Sequence, residues 1–164
     1  MSTRNHSIVP TAPTQSSMTV RLGAGSTAND RFDLREQGKA VKFVAESRYD
    51  LCVAGDEIEG FISSVTAASQ NGFSTGGITD KDLQWVTADG LQATPGTGAI
   101  LVGDYVLAGA ITAKGTALAR FAKVTKATTQ ANVKASPFSW RVLSLGPVGT
   151  GAVGTDIVIK RMAA

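Results

Sequence analysis

The sequence predicts an all-β fold, a small antiparallel β-barrel or β-sandwich with Gly-rich turns and an extended N-terminal arm. Three observations lead there. Short runs of Val, Ile, Phe and Trp recur between clusters of Gly, Asp, Asn and Pro, the texture of strands separated by turns. Only 18% of the 164 residues are charged, against 43% hydrophobic, and 18 are Gly, so the Lys/Glu-rich faces of helical proteins are missing. A Gly-Asp turn signal ahead of a β-rich run occurs at Gly55-Asp56 and again at Gly103-Asp104, with a fainter echo at Gly154 and Asp156. The length suits one domain of about 100–150 residues with an appendage. Residues 1–30 form the expected arm and residues 31–164 a single β-rich domain.

The arm is rich in Ser, Thr, Asn, Pro and Gly, and its apolar residues come in small groups, Ile8-Val9 and Met18, Val20, Leu22. Pro10 and Pro13 fix φ and remove donors, and the scarcity of large side chains leaves the ordering entropy unopposed. Such a segment is expected to order only against a partner. From residue 40 the chain alternates, with Val41, Phe43 and Ala45 on one face of a strand and Lys42 and Glu46 on the other. The run continues through 61–65, and Asn71-Gly72 is a strong hairpin signal. Residues 80–88 read either as a short helix capped near Thr79 or as a strand; the turns at Asp89-Gly90 and Pro95-Gly96 favour the strand. Residues 101–111 read as a strand entered through a tight turn and bent at Gly109. Residues 117–127 again leave strand and helix open, because Ala, Leu, Arg and Lys favour helix. Clean strands are expected over 138–145 and up to Ile159, with the Gly-rich stretch 146–154 as a loop and no convincing helix anywhere.

The formal charge of +3 hides a split: residues 1–110 carry eight Lys/Arg against twelve Asp/Glu, residues 111–164 eight against one. The halves can pair within the fold, between copies, or with an external anion. No apolar run approaches the roughly 18 residues of a membrane span, and no signal-peptide pattern follows Arg4, so no membrane partner is expected and the chain is expected to stay in the cytoplasm where it is made. The single cysteine, Cys52, reads as a small buried hydrophobe.

Motifs that carry chemistry fall short one by one. Gly23-Ala24-Gly25-Ser26-Thr27-Ala28 matches the dinucleotide fingerprint after the strand-like 18–22, but residues 29–38 lack the apolar helix face that it needs. Gly38-Lys39-Ala40 fails as a phosphate loop, with Asp33 in place of the first glycine and Ala40 in place of the hydroxyl. His6, the only histidine, lies in the arm, out of reach of a nucleophile. One Cys and one His cannot supply about four zinc ligands. Asp56, Glu57 and Glu59, or Asp80 with Asp82, match no calcium loop and read as solvated acidic turns, and they make a weak glycosidase pair. Asn5-His6-Ser7 is a formal glycosylation sequon that matters only on secretion. No enzyme, cofactor or metal is therefore expected. The alternative function is a single-stranded nucleic-acid-binding module, with Phe121, Phe138 and Trp140 among Arg120, Lys123, Lys126, Lys134 and Arg141. Phe138, Trp140 and Val142 share one strand face, however, which makes core their default role.

Residues 137–146 and 149–159, together with Gly103-Asp104-Tyr105-Val106 and 113–117, resemble the capsid decoration or cement proteins of tailed bacteriophages. The likeness is one of texture over residues 40–164. It implies a β-rich structural virion protein without catalytic residues, made in the host cytoplasm and sited on the capsid surface. It implies two kinds of partner, the major capsid protein and other copies of the chain as a dimer or trimer. In that role Ile8, Val9, Pro10, Pro13, Met18, Val20 and Leu22 would form a capsid-binding arm acting by strand addition, and removal of residues 1–22 should leave the domain folded. Gly55, Asp56, Gly103, Asp104, Gly154 and Asp156 would be scaffold, each aspartate capping its own turn.

Overall fold

In the computed structural model, residues 17–23, 31–45, 48–66, 74–80 and 83–163 are described. The fold is all-β and contains two rings of strands. The first is a closed barrel of β1 (Ser17–Leu22), β2 (Ala40–Ala45), β3 (Arg48–Leu51), β4 (Gly60–Thr66) and β5 (Ser74–Thr79) in the order β1-β3-β2-β4-β5. The second sheet contains β6 (Leu83–Leu91), β7 (Thr94–Pro95), β8 (Tyr105–Ala108), β9 (Lys123–Lys126), β10 (Phe138–Ser144) and β11 (Asp156–Ala163). Pairing of β11 with β6 closes five of its strands into the ring β6-β9-β8-β10-β11, from which β7 hangs as a hairpin.

Counted in chain order, both rings run first-third-second-fourth-fifth. In each, the first and third strands are parallel and every other pair is antiparallel. One topology is therefore used twice. Closure removes most sheet edges, the usual liability of a β-rich chain.

The rings share a wall. Successive residues of a strand face opposite sides, and on β2 and β4 both sides are buried: Val41 and Ile62 enter the first core with Val20, Leu22, Leu51 and Ile78, while Ala40 and Phe61 enter the second with Val86, Val106, Val124, Trp140, Ile157 and Ile159. Trp140, 1% exposed, packs edge-on against Phe61 with ring centroids 5.4 Å apart, and its indole N–H donates to the Ile58 carbonyl at 2.9 Å. Backbone bonds add to the join: Gly55 N–H donates to the Ala108 carbonyl and Ala108 N–H to the Asp56 carbonyl. A buried ion pair completes it. Glu36, in the 3-10 turn Leu34–Glu36, accepts from Lys39 Nζ at 3.4 Å and from Gly115 N–H, and Lys39 Nζ also donates to the Ala113 carbonyl.

The Gly-Asp units belong to a wider set of tight turns. Residues 53–56, 94–97, 101–104, 113–116 and 152–155 each end in Gly-Asp or Gly-Thr, with the last N–H bonded to the first carbonyl at 3.0–3.1 Å and the glycine at φ of 80–93°. Glycine with positive φ at the third position is what a type II turn demands. Asp56 and Asp104 cap their own turns, accepting from Val53 N–H at 2.7 Å and Leu101 N–H at 2.8 Å. Asp156 does not. In that unit Thr155 closes the turn, its hydroxyl donating to the Ala152 carbonyl, while the Asp156 carboxylate accepts from the Thr87 hydroxyl and pairs with Arg120.

Several expectations are corrected. Ser17–Leu22 belongs to the first ring and not to the arm: β1 pairs with β5 along its whole length and with β3 at Arg21 and Leu22, so removing residues 1–22 would open the barrel. The strand looks too sparse for core because its partner is sparse too. Gly76 and Gly77 stand opposite Val20 and Thr19, and a Cβ at Gly76 would lie 2.7 Å from Leu22 Cδ1. Residues 83–91 are strand, as favoured. Within 117–127 only Lys123–Lys126 is strand, and β8 ends at Gly109 rather than bending there. A short helix, α1 (Gln130–Lys134), was not foreseen; it covers Leu107 on the outer face of β8 with Val133. Ile8, Val9, Pro10, Pro13, His6 and Asn71-Gly72 lie outside the described residues. Among the described residues no helix is long and apolar enough to cross a membrane.

Trp140→Phe keeps an aromatic ring against Phe61 but leaves the Ile58 carbonyl without its donor. The expected loss is about 1–3 kcal/mol of unfolding free energy in urea titration; an unchanged midpoint and slope would show that the indole bond does not hold the rings together.

Candidate functional site

The charge split is resolved mostly inside the fold. Asp89 pairs with Lys123 at 3.1 Å, Asp104 with Lys126 at 3.1 Å, and Asp80 with Arg161, each joining an acid of the front part to a base of the back part. Arg120 pairs with Asp156 at 2.8 Å. The basic residues proposed for nucleic-acid contact are thereby largely neutralised, and the aromatic ones are dispersed. Trp140 is core, Phe138 lies under the Arg161 guanidinium at 4.5 Å, and Phe121 stands apart on another surface.

The acidic turns are also taken apart. Asp56 faces its own turn and Lys42 at 2.7 Å, Glu57 accepts from the Ser136 hydroxyl at 2.9 Å, and Asp82 lies outside the described residues. Among the described residues no group of three or more metal-ligating side chains forms. Cys52 is buried, with its thiol facing the Glu57 carbonyl at 3.7 Å, and burial pushes that thiol far above the ordinary cysteine value.

Several large apolar side chains are also exposed on the surface. On the outer face of the second ring Trp85 stands opposite Val158, and Leu83 opposite Lys160, which in turn stands opposite Arg141. Leu143 emerges at the bulge between Val142 and Ser144. Trp85 stacks on Phe121, with centroids 6.3 Å apart and planes at 23°. These side chains are far from covered: Leu83 is 53% exposed, Leu143 51%, Trp85 46% and Phe121 37%. A groove of about 240 Å³ runs beside them to Phe61 and Ile62 at the shared wall, with Arg120 on its rim. The rim is basic. Lys160 has no ion-pair partner among the described residues, and Arg141 donates from Nε to the Gly103 carbonyl.

The other side of the ribbon faces the second core, except near its end, where Phe138 is exposed. Trp140 stands opposite Arg161 in register, so Phe138, Trp140 and Arg161 face the side away from Arg141 and Lys160. Phe138 beneath Arg161 is 46% exposed, and Phe43, packed edge-on against Tyr49 at 5.5 Å, is 53% exposed. Arg161 pairs with Asp80 and lies near Glu59. Burial raises the Glu59 carboxyl; Arg161 holds it down and Glu57 pushes it further up. Burial also raises the Tyr49 hydroxyl.

The structure therefore leaves the expected site residues in different roles. Gly55, Asp56, Gly103, Asp104 and Gly154 are turn scaffold, Val20 and Leu22 are core, and Met18 on β1 is 54% exposed. Leu83, Trp85 and Leu143 were missed. The signal was available in the alternation of 83–88, where Leu83 and Trp85 share a phase opposite to Val86 and Ala88, leaving two large hydrophobes to face outward. Compared with family models, with curated proteins and with solved structures, this chain matches none.

Thiol labelling checks the reading of Cys52. At pH 8 the folded protein should leave Cys52 unmodified on the time scale on which urea-unfolded protein reacts completely; equal rates would show the thiol to be accessible.

Proposed function

We propose that this chain is a structural virion protein, a capsid decoration or cement protein that binds the outside of an assembled phage head and stabilises contacts between major capsid proteins. The observation that carries this reading is the set of large half-exposed apolar side chains, with Leu83, Trp85, Phe121 and Leu143 on the outside of the second ring and Phe138 and Phe43 elsewhere, held on a closed scaffold. A clamp must touch two neighbours at once, and large half-exposed aromatics with a charged rim are the composition of protein–protein contacts rather than of small-molecule pockets. The resemblance of residues 40–164 to decoration proteins supports the same reading. So does the N-terminal sequence, in which Ile8, Val9, Pro10 and Pro13 lead toward the exposed Met18 of β1. A protein that binds only the assembled shell shifts assembly by about RT ln(1 + [L]/Kd) per site, close to 2.7 kcal/mol at a hundredfold excess over Kd.

Co-sedimentation tests the proposal. The full chain should pellet with purified shells of its cognate major capsid protein and should leave single-stranded oligonucleotides in the supernatant. A variant lacking residues 1–16 keeps β1, so it should retain its melting temperature and lose shell affinity by about tenfold or more. Failure of the full chain to pellet with shells would overturn the proposal, and binding of oligonucleotides with a steep salt dependence would replace it with the nucleic-acid reading.

A further inference from the structure

A cleft of about 310 Å³ opens where the 53–57 turn of the first ring meets α1 of the second. Its floor is apolar, made by Leu107 and Val133, which pack together there and are each 7% exposed. Its walls are polar and come from separate parts of the chain: Glu57 after the turn, Gln92 after β6, Thr129 ahead of α1 and Asn132 within it. Hydrogen bonds position two of these groups and leave them capacity to spare. Gln92 accepts the Thr128 N–H on its amide oxygen at 2.9 Å and keeps its amide nitrogen, while Glu57 accepts the Ser136 hydroxyl on one carboxylate oxygen at 2.9 Å and keeps the other. Thr129 holds the capping position before α1, where a threonine hydroxyl ordinarily closes onto a helix N–H, and here it makes no such bond. Thr125, 2% exposed, stands in register opposite Leu107 and so shares the strand face that forms the floor; its hydroxyl is buried without a partner among the described residues. Gly55 keeps the mouth clear, since a Cβ there would lie 3.2 Å from Gln92 Nε2.

The donor set selects the ligand. The amides of Gln92 and Asn132 and the hydroxyl of Thr129 between them donate and accept, and Glu57 only accepts. An anion would meet Glu57 with no Lys or Arg in the lining to offset it. A purely apolar molecule would leave the walls unpaired, and one carboxylate is too few for a metal ion. A neutral polyol answers every group, because its adjacent hydroxyls each donate and accept while its C–H face is apolar. We propose that this cleft binds a neutral saccharide unit, whose hydroxyls bond to Glu57, Gln92, Thr129 and Asn132 and whose C–H face rests on Leu107 and Val133. The volume lies at the lower end of the range of small-molecule pockets, about 300–1,000 Å³, which suits a short glycan end rather than a long chain. This site goes beyond the decoration reading and does not depend on it, because it uses none of the side chains assigned to shell contact.

Titration of the full chain, followed by the NMR shifts of its backbone amides, tests the site. The neutral probes are D-glucose, D-galactose, D-mannose and N-acetyl-D-glucosamine, with D-glucuronate and D-glucosamine as charged counterparts. At least one neutral sugar should shift the amides of Gly55, Gln92, Thr129 and Asn132 together, saturating with a Kd of about 1–10 mM, and should leave those of Trp85 and Lys160 in place. D-Glucuronate should bind at least about tenfold more weakly than that sugar, because its carboxylate faces Glu57. Thr129→Val with Asn132→Ala removes two of the wall groups, and this variant should keep its melting temperature and lose about tenfold in affinity. If the double variant melts lower, Glu57→Gln, which keeps an acceptor for the Ser136 hydroxyl, gives the same reading through weakened binding of the neutral sugar. No shift of these amides with any neutral sugar, shifts with D-glucosamine alone, or unchanged affinity in a folded variant would each overturn the proposal. Failure of shell binding with the saccharide shifts intact would count against the decoration reading alone.

Discussion

The structure depends on a wall that two cores use at once. A five-stranded ring is too small to bury much by itself, and here β2 and β4 contribute alternate residues to both interiors. Val41 and Ile62 face one side, Ala40 and Phe61 the other. Trp140 fastens the wall from the second ring, in an edge-to-face contact with Phe61 and with its N–H on the Ile58 carbonyl. A polar atom buried this deeply costs about 1–3 kcal/mol when unpaired, so the indole bond fixes where the ring must sit as well as adding to stability. The Glu36–Lys39 pair acts similarly. Both side chains are buried, and breaking one partner would leave an uncompensated charge, which gives the turn at 113–116 a unique seat against the first ring.

Closing both rings has a consequence for function. Strand edges are paired, tight glycine turns close the connections, and Arg120, Lys123, Lys126 and Arg161 pair with carboxylates. The large apolar side chains left exposed suit repeated contacts on a large surface.

The all-β class and most strands were legible because alternation and glycine turns are local signals. The capping roles of Asp56 and Asp104 were legible for the same reason, since each bonds within four residues of itself. Asp156 was not: its partners, Thr87 and Arg120, are distant in sequence, and a threonine took the turn instead. The membership of β1 was hidden by glycine pairing, because Gly76 and Gly77 make room that the sequence of 17–22 does not announce. The doubled ring was hidden too. The three Gly-Asp echoes precede the fourth strand of the first ring and the second and fifth of the second, so the visible repeat is one of turn chemistry and does not follow the topological repeat.

In the proposed role, side chains that are exposed in the free protein become covered on a shell. Hydroxyl-radical footprinting of the full chain, free and bound to purified shells, reads that change directly, because Trp85, Phe121, Phe43 and Phe138 all oxidise readily when accessible. Strong protection of these four on the shell, with Trp140 slow to react in both states, is the predicted result. Equal oxidation of all four in the free and shell-bound protein would contradict it.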